Sequence, residues 1–164
     1  MWENASAKDI NELTEMFWDN IVRNPHYISH GEMQMGVAAE PGRPEADGKE
    51  KWRKYITAKL DNVQAQLPSC ILVYKEDGNI LAFCVLELAE DGDRPFGVIC
   101  DMLVREDVRG KGLGRQMFEK AVEWFQGLSV RDIYLESGAE NHRAHAFFEQ
   151  HGFRMVSHVF RLRI

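Results

Sequence analysis

A chain of 164 residues, 45% hydrophobic and 28% charged, has the make-up of a folded globular domain. Its formal net charge of −6 argues against nucleic acid as a partner, because phosphate binding needs basic surface. No apolar run approaches the roughly 20 residues of a membrane span, and Met1 to Asn4 carry no leader-like pattern, so a cytoplasmic protein without membrane contact is expected. Cys70, Cys84 and Cys100 lie in apolar runs without metal-ligand spacing and read as free thiols. The six histidines are scattered, and no metal site is expected.

Residues 8–22 place Ile10, Leu13, Phe17 and Ile21 at spacings of three and four, which predicts a helix with one apolar face. Asn24-Pro25 should end it, since the residue before proline is pushed out of helical geometry. Ser29 and Glu32 have the spacing of a capping box and would open a short second helix. The stretch from Gly36 to Gly48, with Pro41 and Pro44, reads as a mobile loop. Asp47 and Glu50 form a second candidate capping box, ahead of a helix over 49–66 with Trp52, Tyr55, Ile56, Leu60 and Val63 on one side. The pattern then changes. Apolar runs at 70–74 and 80–88 flank Asp77-Gly78-Asn79, which predicts a hairpin. A third strand is expected at 98–104, a helix from Gly112 to Phe125, a strand at 133–136, a helix at 141–151 and a last strand over 153–164. This order implies an α/β fold, a mixed sheet with helices on both faces.

The chemistry concentrates between Asp101 and Arg115, where a strand runs into a glycine-rich turn that opens a helix. The first N–H groups of a helix have no intrahelical partner, and the helix dipole adds positive character there. Glycines at 110, 112 and 114 let backbone approach a ligand, and Arg109, Lys111 and Arg115 add charge. Such a turn suits a pyrophosphate. Its glycine spacing fits neither the nucleoside-triphosphate loop nor the dinucleotide fingerprint.

The pattern Arg109-x-x-Gly112-x-Gly114 resembles the signature of the GNAT superfamily of acyl-CoA-dependent N-acyltransferases. Leu135-Glu136, Asn141, Ala144, Phe147-Phe148-Glu149 and Gly152-Phe153 resemble that family's second cofactor motif. The resemblance is specific over 97–153 and implies one domain, with acceptor-binding helices over 1–66 and a sheet and cofactor core over 69–164. It implies a mixed, largely antiparallel sheet with a central splayed strand pair. It also implies acetyl-CoA as co-substrate, with pantetheine on the backbone of Met102, Leu103 and Val104 and pyrophosphate on the N–H groups from Gly110 through Lys111, Gly112, Leu113 and Gly114 to Arg115. Asn141 and Phe148 would complete the cofactor site. In the implied reaction an amine attacks the thioester directly, a tetrahedral oxyanion forms and thiolate leaves.

That reaction needs a base, because only a free amine attacks. Glu136 and Asp101 rank equally as candidates, with Glu87 behind, where a solvent-facing strand position is the preferred reading. Two departures from the family stand out. Phe148 occupies the position of a common tyrosine acid and cannot donate a proton, with His145 one turn earlier as a candidate replacement. Only eleven residues follow Phe153, where the family usually has two strands, which leaves open a strand supplied by a partner and hence a homodimer. Tyr27, His30, Glu32 and Met35 fall in the acceptor region, with Tyr27, Glu32 and Glu87 taken as substrate-side candidates. Trp52 and Tyr55 read as packing residues, and Asn141 equally as a helix cap. A small-molecule primary amine is the expected acceptor. A protein N-terminus or lysine is the alternative, and a non-catalytic acyl-CoA-binding module is the rival of another class.

Overall fold

The computed structural model describes residues 1–65, 68–91 and 94–164, the side chains of Glu90 and Asp91 aside. In chain order its elements are β1 (Trp2–Asn4), α1 (Ile10–Arg23), α2 (His30–Gln34), β2 (Ala38–Glu40), β3 (Arg43–Pro44), α3 (Gly48–Gln64), β4 (Ser69–Glu76), β5 (Asn79–Asp91), β6 (Arg94–Val104), α4 (Leu113–Gly127), β7 (Ile133–Leu135) and α5 (His142–Gln150). A five-stranded sheet runs β1-β4-β5-β6-β7. Its pairings are antiparallel except β6–β7, which is parallel. The expected mixed, largely antiparallel α/β fold is therefore present.

Each face of the sheet buries its own set of side chains. The α1 stripe of Ile10, Leu13, Phe17 and Ile21 joins Trp52, Ile56 and Leu60 of α3 over Ile71, Val73, Phe83 and Val85. Phe17 stacks on Trp52 at 4.2 Å, with the rings nearly parallel. On the opposite face Met117, Ala121 and Phe125 of α4 cover Cys70, Ala82, Cys84, Leu86 and Ile99. Alternate residues of β4 and β5 thus point to opposite cores, as strand geometry requires. Gly97 lets α4 close on β6, because a Cβ there would lie 2.5 Å from the buried Phe125 ring.

Three expectations are corrected, and one strand is present that was not expected. The 36–48 stretch contains the two-stranded sheet β2–β3 rather than loop throughout. Asp47 makes no side-chain cap and instead pairs with Lys51 at 2.9 Å, one helical turn on. Strand β1 has no apolar alternation to announce it, yet Trp2 to Asn4 pair with Tyr74 to Leu72 of β4. Residues 154–164 form no sheet strand. The predicted end of α3 at residue 66 lies outside the described residues.

Candidate active site

The site follows from two irregularities in β6. The first is a bulge. Val85 of β5 faces Asp101, but the next residue, Leu86, faces Ile99, so Cys100 is the extra residue in the ladder. A bulge twists its strand locally and re-aims the side chains beside it. The second is a splay. β6 pairs with β7 only from Gly97–Ile133 to Ile99–Leu135. Beyond Ile99 the two strands separate, and Met102, Leu103 and Val104 keep β5 on one side with no β7 partner on the other. A cleft of about 120 Å³ opens there, lined by Asp101, Met102, Leu103, Glu136, Asn141 and Phe148 among others.

Asp101 lies at the floor of this cleft. The Tyr55 hydroxyl donates to its Oδ2 at 2.9 Å. Burial pushes the Asp101 carboxyl up to about 7, against the opposing hydrogen bond from Tyr55. The charge of Glu32 raises it further. The Trp52 indole N–H and Lys59 hold it down more weakly, although the indole makes no hydrogen bond of good geometry. Burial and the neighbouring Asp101 in turn raise the Tyr55 hydroxyl, which keeps it a donor.

Glu136 also lines the cleft, but its oxygens are occupied. Oε1 accepts from the Gly31 N–H at 2.9 Å and lies 3.0 Å from Ser29 Oγ, whose single proton it shares with Glu32, while Oε2 meets His30 Nδ1 at 2.9 Å. These donors cluster at the start of α2. That helix has the expected capping box: Glu32 accepts from the Ser29 N–H at 2.7 Å and from the Ser29 hydroxyl. Glu136 therefore ties the end of β7 to α2. His30, which the sequence places in the acceptor region, is one of the ties. Gly138 brings the same segments together more closely, since a Cβ there would stand 2.3 Å from the Tyr27 carbonyl oxygen.

Glu87 is turned away from the cleft. It pairs with Lys59 of α3 and accepts from Cys100 Sγ at 3.6 Å. Burial pushes the Cys100 thiol up to about 12, so it stays protonated. Tyr27 and Glu32 do line the cleft, with Asn20 and Phe17 of α1 and Ser137. Met35 instead packs on the core.

At the glycine-rich turn, Gly110 and Gly112 have φ of 82° and 83°, the left-handed region where a side chain costs most. Nothing lies within 4 Å of where their Cβ atoms would stand. This leaves open space before α4, whose first turn offers the N–H groups of Leu113, Gly114 and Arg115. Arg109 faces inward: its Nε donates to the Val104 carbonyl at 2.8 Å and Nη2 to Asn20 Oδ1 at 3.0 Å. Arg115 is exposed and bonds Glu119 at 2.8 Å, and Lys111 is exposed. On the far wall Asn141 Oδ1 accepts from the Ala144 N–H at 3.2 Å, capping α5. Phe148 packs edge-on against Phe153. His145 Nε2 is engaged by the Gly138 carbonyl at 3.0 Å and does not line the cleft, so it does not stand in for the missing tyrosine.

Tyr55, Cys100, Asn20 and Ser137 are the neighbours that sequence reasoning missed. Tyr55 sits on a helical stripe beside Trp52, which disguises a hydroxyl aimed at the sheet. Among the described residues, no group of three or more His, Cys, Asp or Glu side chains converges as a metal site. Among the described residues, too, no helix is long and apolar enough to cross a membrane.

Residues 36–153 match the model of the Acetyltransferase (GNAT) family, and the chain belongs to that family. Mycothiol acetyltransferase of Propionibacterium freudenreichii is 30% identical over 91 residues, which are 55% of this chain and 29% of that protein. The chain thus spans less than a third of that relative. Two solved structures share the fold. One is a predicted acetyltransferase from Clostridium acetobutylicum with acetyl-CoA, at a TM-score of 0.71 and 18% identity, covering 99% of this chain and 95% of that one. The other is the aminoglycoside antibiotic 6'-N-acetyltransferase of Acinetobacter haemolyticus, at 0.68 and 14%, covering 100% and 97%.

Proposed function

We propose that this member of the GNAT family is an acetyl-CoA-dependent N-acetyltransferase acting on a small-molecule primary amine, with Asp101 as its base. The observation that carries the reading is Asp101 at the floor of the cleft, one residue from the unpaired edge of β6 and with a carboxyl pushed up to about 7. The residues fit the co-substrate. The edge at Met102, Leu103 and Val104 suits an extended amide-bearing arm added as a strand would be. The open turn at Gly110 and Gly112, followed by the start of α4, suits a pyrophosphate. Arg109 serves by fixing the turn to β6, Lys111 and Arg115 by attracting the anion, and Asn141 and Phe148 by forming the opposite wall. The bound thioester supplies an activated acetyl group.

The chain's own residues manage the proton. A base works best with a pKa near the working pH, and such a group contributes about 10²–10⁴ in rate. Asp101 has that property, and its hydrogen bond from Tyr55 fixes the orientation of the carboxylate. Glu136 is a worse base because the Gly31 N–H and His30 already hold its oxygens, with Ser29 Oγ beside them; its role is to position α2. Glu32 and Asp101 face the same cleft and favour a cationic acceptor. Phe148 and Leu135 give the adjoining wall an apolar surface.

The test is release of free thiol from acetyl-CoA with a panel of polyamines, amino acids, amino sugars and N-terminal peptides, with products identified by mass. Turnover with small amines and none with peptides is the expected result. Turnover with peptides alone would replace the small-molecule reading, and thiol release without any acetylated amine would remove the transferase reading.

A further inference from the structure

A buried donor beside the cleft lacks a partner. Trp52 is fully buried on α3, and among the described residues its indole N–H has no hydrogen-bond acceptor. Buried polar side-chain atoms are paired in the large majority of cases, so an orphan needs a reason. The ring cannot turn to find an acceptor. Phe17 of α1 stacks on it at 4.2 Å, and Phe83 of β5 and Tyr55 of α3 flank it with ring centroids at 5.9 Å and 6.1 Å. Close packing of this kind fixes where the N–H points. From sequence Trp52 reads as a packing residue. Its ring is one, and its N–H is left over.

That N–H lies near enough to Asp101 to favour the ionised carboxyl, yet falls short of a hydrogen bond of good geometry. Among the described residues the Tyr55 hydroxyl is the one donor bonded to that carboxyl, at Oδ2. A neutral carboxyl needs no more, but a carboxylate has about four lone-pair sites and a charge to offset. Asp101 opens on the cleft beside the Cys100 bulge, so its carboxyl has room to turn where the indole has none.

We propose that Trp52 is a positioning residue for the base: when Asp101 ionises, its carboxylate turns onto the indole N–H and takes it as a second donor beside Tyr55. This role rests on the reading of Asp101 as the base. In turnover the carboxylate takes a proton from the acceptor ammonium, the amine is left neutral to attack, and the bond from the indole weakens as the charge disappears. Trp52 thus keeps the base ionised and aimed until the amine arrives, at a depth where burial favours the protonated form. Other groups face the same carboxyl. Glu32 from α2 and Lys59 from α3 act on it by charge, and Lys59 is itself paired with Glu87 of β5. Glu136, after β7, shares the cleft with His30 behind it. Tyr55 and Cys100 stay protonated through the neutral range because burial raises both.

Nuclear magnetic resonance of the nitrogen-labelled full chain between about pH 5 and 9 reads the Trp52 indole directly, assigned through its ring contacts with Phe17 and Phe83. Its N–H proton is expected to move downfield in one step near 7, as a forming hydrogen bond requires. It should stay still in Asp101→Asn, which leaves Glu32, Glu87, Glu136 and His30 in place. This reading needs no substitution at Trp52, so it stands even if a smaller ring loosens the core. In Trp52→Phe, which keeps an aromatic ring against Phe17, the inflection in kcat/KM is expected to rise by about one to two pH units, the strength of one hydrogen bond to a charged group. Activity at pH 7 then falls about 5- to 50-fold and recovers above about pH 9, whereas a packing defect lowers it at every pH. A flat resonance in the wild type, an equal step in Asp101→Asn, or an unmoved inflection in Trp52→Phe overturns the role of Trp52, and a wild-type inflection near 7 then still leaves Asp101 as the base. A wild-type rate without that inflection overturns the base reading, and the role of Trp52 falls with it.

Discussion

Replacing Asp101 by asparagine should damage activity and improve stability together, and the two effects share one cause. An aspartate in the unfolded chain ionises near 3.8, whereas burial in the cleft moves Asp101 to about 7. Between those pH values the folded chain holds a proton that the unfolded chain has already lost. Stability therefore falls as pH rises from about 4 to about 7 and stays reduced above. The interval, at about 1.4 kcal/mol per pH unit, sets a ceiling of about 4 kcal/mol. Asparagine removes the charge, keeps an oxygen for the Tyr55 hydroxyl and leaves the cleft shape intact. At pH 8 the variant should thus melt higher than wild type by several degrees, under about 15 °C for a chain of this size, and at pH 4 the two should coincide. Its kcat/KM should fall about 10²–10⁴-fold. The wild-type kcat/KM should rise with pH through an inflection near 7, distinct from titration of an amine acceptor near 10, and the variant should lose that inflection. Calorimetric melts at the two pH values and a pH–rate profile provide the readings. Wild-type turnover in the variant, or a loss of stability at pH 8, would refute the assignment.

Other substitutions separate positioning from chemistry. Glu136→Gln keeps an oxygen for Ser29 and Gly31 but loses the charge facing His30, so kcat/KM should fall less than about 10-fold with the inflection near 7 retained. Loss of that inflection would transfer the base role to Glu136. Gly112→Ala meets open space but forces a side chain into φ 83°, which should cost about 1–2 kcal/mol in a denaturant melt and weaken acetyl-CoA binding in calorimetry. Gly97→Ala drives a methyl into the Phe125 ring and should cost about 1–3 kcal/mol in the same melt, and a neutral result would mean that α4 does not pack on β6 as described.

The helical stripes and the β4–β5 hairpin were legible because their periods and turn residues are local properties of the sequence. The alternation of Phe160, Leu162 and Ile164 is equally clear, but a strand pattern does not specify which edge it joins, and here it joins none in its own sheet. β1 was missed because three residues of mixed polarity carry no period; their place is fixed by pairing with β4, far along the chain. In the site, the glycine-rich turn could be read because glycine spacing and charge are written in order along the backbone. The difference between Asp101 and Glu136 could not. It depends on Tyr55, forty-six residues from Asp101, and on Ser29 and Gly31, more than a hundred from Glu136. Arg109 shows the reverse. Its place in the motif suggested phosphate binding, yet its guanidinium turns inward to Val104 and Asn20.

Calorimetric titration of the wild type and of Gly112→Trp with acetyl-CoA tests the central claim most directly, because it asks whether the splayed β6 edge and the glycine turn hold the acetyl donor. Micromolar-range binding by the wild type is expected, and its loss in the variant, whose indole would fill the open space before α4. An unresponsive wild type, or equal binding by the two proteins, would contradict it.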